Sequence, residues 1–235
     1  MNPVLILTAV DLEARALARE LELPLLRRFS FSTYGRDALR LAPVGLGAAL
    51  CAERWGDLLD GFGAPLVVSA GVCGGLDPRL HPGDLVIPER VIGPTGDTQR
   101  IEPAYHRAAV VAGGTGTCTA PLVTTRKIVG TPADKAALFA ASGAAAVDME
   151  SAVIVRRAAA AGFPALVVRG VSDAAEHSLP PELTRLVGPE GTLRLGRALA
   201  LGVTRPATLP RAIELRRRTR RALAAVARVL AALVV

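Results

Sequence analysis

AAAVDMESAVIVRRAAAAGFPALVVRGVSDAA, residues 144–175, decides the fold. AAAVDM (144–149) and PALVVRGVSD (164–173) are short apolar runs of strand length, rich enough in valine to be buried on both faces. ESAVIVRRAAAAG between them has helical periodicity and stops at Gly162, where a helix C-cap belongs. The same alternation extends outward in both directions. VLILTAV (4–10) reads as a strand leading into DLEARALARELEL (11–23), a helix with acids in its first turn, where the helix dipole favours them. LRLAPVGLG (39–47) is a strand ending in a glycine turn, and AALCAERWGDLLDGF follows as a helix. PLVVSAG (65–71) is a strand opening into a loop, GVCGG (71–75). DLVIPERVI (84–92) and APLVTTRKIV (120–129) are further strands, and Thr131-Pro132-Ala133-Asp134 starts a helix running to about Ser142.

Strands alternating with alanine-rich helices make a single α/β domain, with a mainly parallel mixed central sheet flanked by helices. At 235 residues, 51% of them apolar, the chain can bury the core such a domain needs. Residues 1–204 are expected to form the body of the domain and 205–235 a basic, amphipathic C-terminal helix. SLPPEL (178–183) and GPEG (188–191) mark an irregular stretch between them.

Charge and composition narrow the function. The net charge is +7, and residues 205–235, with eight arginines and one glutamate, account for all of it, so the body is neutral overall. With 3% aromatics and no basic stripe on the body, nucleic acid is not the expected partner. Cys51, Cys73 and Cys118 form no C-x-x-C pair, and His81, His106 and His177 lack metal-ligand spacing, so no metal is expected. The start, MNPVLILTAVDLEAR, lacks the positively charged region of a signal peptide, and a cytoplasmic location is expected.

In open α/β sheets, ligands sit beyond the carboxyl ends of the strands. Asp11 and Glu13, Asp148 and Glu150, and Ser172 and Asp173 all fall there. Acids in a stretch as apolar as AAAVDMESAVIV are costly to bury without partners or a task. Taken locally, Glu150 also reads as a helix-terminus charge and Asp173 as a turn residue. The glycine segments PVGLGAA (43–49) and SAGVCGG (69–75) allow close backbone approach to a ligand, but neither is a dinucleotide or P-loop motif.

The ordered set TAVDLEA (8–14), VGLGAA (44–49), SAGVCGGLDP (69–78), AVDMES (146–151) and VVRGVSDAA (167–175) resembles the nucleoside phosphorylase and nucleosidase superfamily. The likeness is strongest to its methylthioadenosine/S-adenosylhomocysteine nucleosidase branch. The resemblance implies that Asp173 protonates N7 of a purine, that Ser172 orients it, and that Glu13 positions and deprotonates the attacking water. It also implies that Glu150 holds the ribose hydroxyls and Met149 packs against the sugar. Gly71, Val72, Cys73 and Gly74 would form the loop beside the sugar, and Ile128 and Val129 the wall beside the base. No cofactor is implied, phosphate being a co-substrate if the reaction is phosphorolysis, with Arg15, Arg36 and Arg40 as its candidate ligands.

GGLDP (74–78), TPADKAAL (131–138), AVDMES and SLPPEL, followed by a basic helical end, resemble the hopanoid-associated phosphorylases, which remove adenine from adenosylhopane. The substrate so implied is a 5′-substituted, lipid-linked adenosine, and the expected assembly is a homo-oligomer. Within PRAIELRRRTRRALAAVARVLAALVV (210–235), Leu215, Thr219, Ala222, Val226, Leu230 and Leu233 share one stripe, and Arg217, Arg220, Arg221 and Arg228 lie opposite. Two roles are open to this helix: packing on protein, or lying at the inner membrane surface with its arginines on anionic lipid. Its final apolar stretch is too short to span a bilayer. The alternatives are a soluble methylthioadenosine/S-adenosylhomocysteine or futalosine-type nucleosidase, and a non-catalytic nucleoside-binding or membrane-surface protein.

Overall fold

A computed structural model describes residues 3–26, 31–180 and 209–234. The stretch at 188–191 therefore lies outside the described residues, as does the second half of that at 178–183. Eleven strands form one mixed sheet. They are β1 (Val4–Thr8), β2 (Leu25–Leu26), β3 (Thr33–Arg36), β4 (Leu39–Pro43), β5 (Leu66–Gly75), β6 (Leu85–Val86), β7 (Arg90–Ile92), β8 (Thr98–Arg100), β9 (Leu122–Thr124), β10 (Ala146–Asp148) and β11 (Ala165–Asp173). Helices α1 (Asp11–Glu20), α2 (Cys51–Leu59), α3 (Pro103–Gly113), α4 (Pro132–Ser142), α5 (Ser151–Ala160) and α6 (Leu209–Leu233) accompany them.

The long strand β5 organises the sheet. β11 runs parallel to it from Val67 to Gly74. On its other edge, β1 pairs in parallel with Leu66–Ser69, and β10 pairs antiparallel with Gly74 and Gly75. Between those two partners, residues 70–73 of β5 keep a free edge, a switch point of the kind where ligands bind. Every residue of β1 and β11 is buried, which explains why both are so rich in valine, leucine and isoleucine.

The elements depart from the expected ones in physically readable ways. GVCGG is a continuation of β5 rather than a loop, because β11 pairs beside it almost to its end. Pro88, without an amide hydrogen, divides the run 84–92 into β6 and β7. The strand expected over 120–129 ends at Thr124; the next hydroxyl, Thr125, bonds to Lys127 O at 2.8 Å and turns the chain out of the sheet. β2, β3 and β8 are short edge strands with little apolar alternation to reveal them, and α3 starts behind a proline without a strong apolar face. Thr131 caps α4 as its sequence suggests, accepting from Asp134 N at 3.1 Å.

The C-terminal helix packs against β11, α3 and α1. Leu223, Val226, Val229 and Leu230 are buried in the main core and Ala222 is buried beside them, while Arg216, Arg217, Arg220, Arg221 and Arg228 are exposed. Gly170 makes this contact possible, since a Cβ there would lie 2.6 Å from Ala222 O. The inner stripe of α6 is thus occupied by protein, so a membrane can meet only its outer, basic side. No helix among the described residues is long and apolar enough to cross a membrane.

Candidate active site

The carboxyl ends of β1, β5, β10 and β11 deliver two groups of buried polar side chains. The first surrounds Arg169, a fully buried guanidinium in the middle of β11. Its Nη2 lies 2.8 Å from Asp148 Oδ2, 3.8 Å from Glu150 Oε2 and 2.8 Å from Ser69 Oγ, and also donates to Ser151 Oγ at 3.1 Å. Burial works against its charge, but Asp148, Glu150 and Glu13 together hold it protonated. Its Nη1 is buried with no hydrogen-bond partner among the described residues. Asp148 is itself fixed by the Thr124 hydroxyl at 2.7 Å and by Ser151 N, which anchors the start of α5.

Glu13, in the first turn of α1, is buried beside this guanidinium. Ala9 N and Val10 N donate to its Oε2 at 3.0 and 3.3 Å, and Val72 N, on the free edge of β5, donates to Oε1 at 3.0 Å. Burial raises its pKa, against the pull of Arg169 and the three amides. Gly71 separates the two side chains: its φ is +150°, and a Cβ there would lie 2.6 Å from Glu13 Oε1 and 2.7 Å from Arg169 Nη1. Only glycine admits both groups.

Glu150 precedes α5 and is buried. Gly47 N, in the glycine turn after β4, donates to its Oε1 at 2.9 Å. Burial, with Asp148 and Glu13 nearby, pushes its pKa up to about 8, despite Arg169. Met149 beside it is half-buried, its backbone carbonyl lying near Gly47.

The second group surrounds Asp173. Ser172 Oγ is 2.7 Å from Asp173 Oδ1 and 3.2 Å from Cys73 O. Lys135 Nζ, from α4, is 2.5 Å from Asp173 Oδ2. Gly74 leaves space for the carboxylate, since a Cβ there would sit 3.3 Å from Oδ2. Cys73 is buried and its thiol pushed well up, chiefly by burial, so it stays neutral. Asp173 and Arg169 are four residues apart on β11, but a bulge after Val171 sets them opposite Gly74 and Gly71 of β5, roughly 10 Å apart at strand spacing.

Glu13, Gly71, Val72 and Glu150 therefore gather at one end of this span, and Ser172, Asp173, Cys73 and Gly74 at the other. Ile128 and Val129 lie on the loop after β9, lining a cleft of about 590 Å³ with Thr124, Thr125 and Leu138. None of the three carboxylates Glu13, Glu150 and Asp173 lines that cleft, and the convergent polar groups mark the site better than its volume does. The suggested phosphate ligands are elsewhere. Arg40 is buried, donating to Leu58 O and Asp60 O at 2.6 and 2.9 Å, and Arg36 lies exposed near it at the amino ends of the strands. Arg15 pairs with Asp11 on the surface of α1. Among the described residues, no three histidine, cysteine or acidic side chains converge as a metal site.

Arg169 and Lys135 were not singled out from sequence. An arginine inside VVRGV carries the same signal as the acids of AVDMES, a charge in a run otherwise fit for burial. Lys135 gives no such signal, because a lysine in an alanine-rich helix reads as a solvated residue.

Several known structures share this fold. The 5′-methylthioadenosine/S-adenosylhomocysteine nucleosidase of Neisseria meningitidis, solved with methylthio-immucillin-A, superposes with a TM-score of 0.73 at 20% identity, covering 100% of this chain and 99% of that one. The futalosine hydrolase of Helicobacter pylori gives 0.72 at 16% identity, covering 99% and 97%. The Campylobacter jejuni 5′-methylthioadenosine/S-adenosylhomocysteine nucleosidase gives 0.65 at 20%, covering 76% and 89%. These likenesses establish the shared fold. No curated protein sequence matches significantly. The family model of the phosphorylase superfamily matches residues 3–200, and the chain belongs to that superfamily.

Proposed function

We propose that the protein hydrolyses the N-glycosidic bond of a 5′-substituted adenosine and releases adenine. The observation that carries this reading is the pair of buried stations along β11: an acid, Asp173, with a hydroxyl on it, and a carboxylate, Glu13 of α1, beside an Arg169 nitrogen with no partner among the described residues. Asp173 gives its proton to N7, and the C1′–N9 bond breaks with its electron pair passing to the base, which leaves neutral. The ribosyl cation left behind is stabilised by the carboxylates around it. Water, held between Glu13 and Arg169 Nη1, adds to C1′ and passes a proton to Glu13. Glu150, protonated at neutral pH, offers the ribose diol a donor as well as an acceptor.

Water is favoured over phosphate as the nucleophile. Three acids, Glu13, Asp148 and Glu150, surround the guanidinium of Arg169, and none of Arg15, Arg36 and Arg40 faces them. A phosphate dianion would have to compete with Asp148, which already occupies Arg169. Adenine release from 5′-methylthioadenosine and larger 5′-substituted adenosines, with and without phosphate, tests the reading. We expect release without phosphate, falling about 100-fold or more in Glu13→Gln. No release from any adenosine would leave nucleoside binding as the function, and strict phosphate dependence would exclude hydrolysis.

A lipid-linked adenosine, as in the adenosylhopane of hopanoid biosynthesis, is the substrate we infer from the motif resemblance and the outer face of α6. Five exposed arginines there take part in no ion pair among the described residues, and Ile213 and, on the adjoining α3, Val111 are 60% and 82% exposed. Such a face suits peripheral contact with an anionic bilayer that holds the substrate.

A further inference from the structure

Resting on the nucleosidase reading, we infer that Lys135 is the positioning residue of the acid, holding Asp173 and receiving the negative charge left when its proton goes to the base. Lys135 is fully buried on α4. Its ammonium has three acceptors: Asp173 Oδ2 at 2.5 Å, Ala174 O at 2.7 Å and His177 O at 3.1 Å. All three of its protons are thereby committed to the carboxylate and to the segment that follows it. That segment is further tied by His177 Nδ1, which accepts from Ala174 N at 3.0 Å, and by Leu179 N, which donates to Gly130 O at 2.8 Å. One side chain therefore fixes both the acid and the turn after it relative to α4.

A lysine placed only to anchor a turn would be satisfied by the two carbonyls. The third bond goes to the one group in this part of the site that must change its charge during the reaction. As Asp173 loses its proton to N7, the carboxylate forms against a fixed ammonium, without reorganisation of solvent. The other groups facing Asp173 do not compete for this role. Ser172 is neutral, and the buried Cys73 thiol on β5 stays neutral. From β10, Val147 is the residue nearest this pocket, and Asp148 is held by Arg169. His177 uses a ring nitrogen on backbone, and Glu176 is on its outer side.

The test compares wild type with Lys135→Met and Lys135→Arg, measuring adenine release from 5′-methylthioadenosine across pH 5 to 9 and the thermal midpoint of each protein. Lys135→Met is expected to lower kcat about 100-fold with KM changed only a few-fold, as for loss of an interaction made chiefly in the transition state. Lys135→Arg should restore much of kcat. Wild-type kcat in Lys135→Met overturns the inference. So does a loss of kcat that the folded fraction accounts for, or one that Lys135→Arg does not relieve, which would make Lys135 a structural anchor only. Inertness of the wild type toward every adenosine would instead overturn the nucleosidase reading, so the two failures are distinct.

Discussion

The carboxylate of Glu13 and the guanidinium of Arg169 close over the α-carbon of Gly71, both within 2.7 Å of where a Cβ would stand. Neither group is the flexible end of a surface side chain. Each is buried and bonded on its other sides, Glu13 by three amides and Arg169 by Asp148, Ser69 and Ser151. Gly71→Ala should therefore cost about 2 kcal/mol or more in stability and depress activity further than its folded fraction explains. Chemical denaturation alongside adenine release measures both, and an alanine variant with unaltered turnover would show that the two groups are not held by this contact.

Glu150 makes stability depend on pH. Its pKa rises from an ordinary 4.5 to about 8 in the folded protein, so between those values the native state binds a proton that the unfolded state has lost. Its contribution is complete below pH 4.5 and disappears as pH rises through 8. The wild-type protein should lose stability across that window, and Glu150→Gln should lose less. Urea midpoints of both proteins from pH 5 to 8.5 would reveal this, and parallel curves would contradict it.

Gly170 lies against the backbone of Ala222, where neither partner has a side chain that can swing aside. Gly170→Ala must push α6 away from β11, at an expected cost of about 1 to 3 kcal/mol. A thermal midpoint equal to wild type would mean that the helix shifts freely. Because Arg169 and Asp173 stand on the same strand, activity should fall with the packing.

The basic face of α6 predicts binding to anionic vesicles. Each arginine near such a surface contributes about 1 kcal/mol, so replacing Arg216, Arg217 and Arg220 together with serine should weaken binding on the order of 100-fold. Co-sedimentation with phosphatidylglycerol vesicles is the measurement, with phosphatidylcholine as control. Equal binding by variant and wild type would remove lipid as the partner of this face.

The acids were legible in sequence because they interrupt runs otherwise fit for burial: Glu150 in AVDMES and Asp173 at the end of VVRGV offered no apolar reason to be there. The alternation of strands and helices was legible for the same reason, as it follows from which residues are buried. What was not legible depends on pairings between distant segments. GVCGG looked like a loop because glycine is poor in strands, and only β11 alongside reveals a strand whose glycines make way for Glu13, Arg169 and Asp173. Lys135 looked solvated until α4 was seen to carry it beneath Ala174 and His177.

The contact between Ala222 and Gly170 also bears on how the C-terminal helix can be studied. Most of the residues that carry the positive charge, Arg216 to Arg221, directly precede those that cover β11 on one helix, so cutting the chain before Arg216 removes both at once. A shortened protein would expose the outer face of its own catalytic strand, and its failure to bind lipid or release adenine would report a bare sheet. Only substitutions confined to the outward-facing arginines can separate what this helix does for the fold from what it does at a surface.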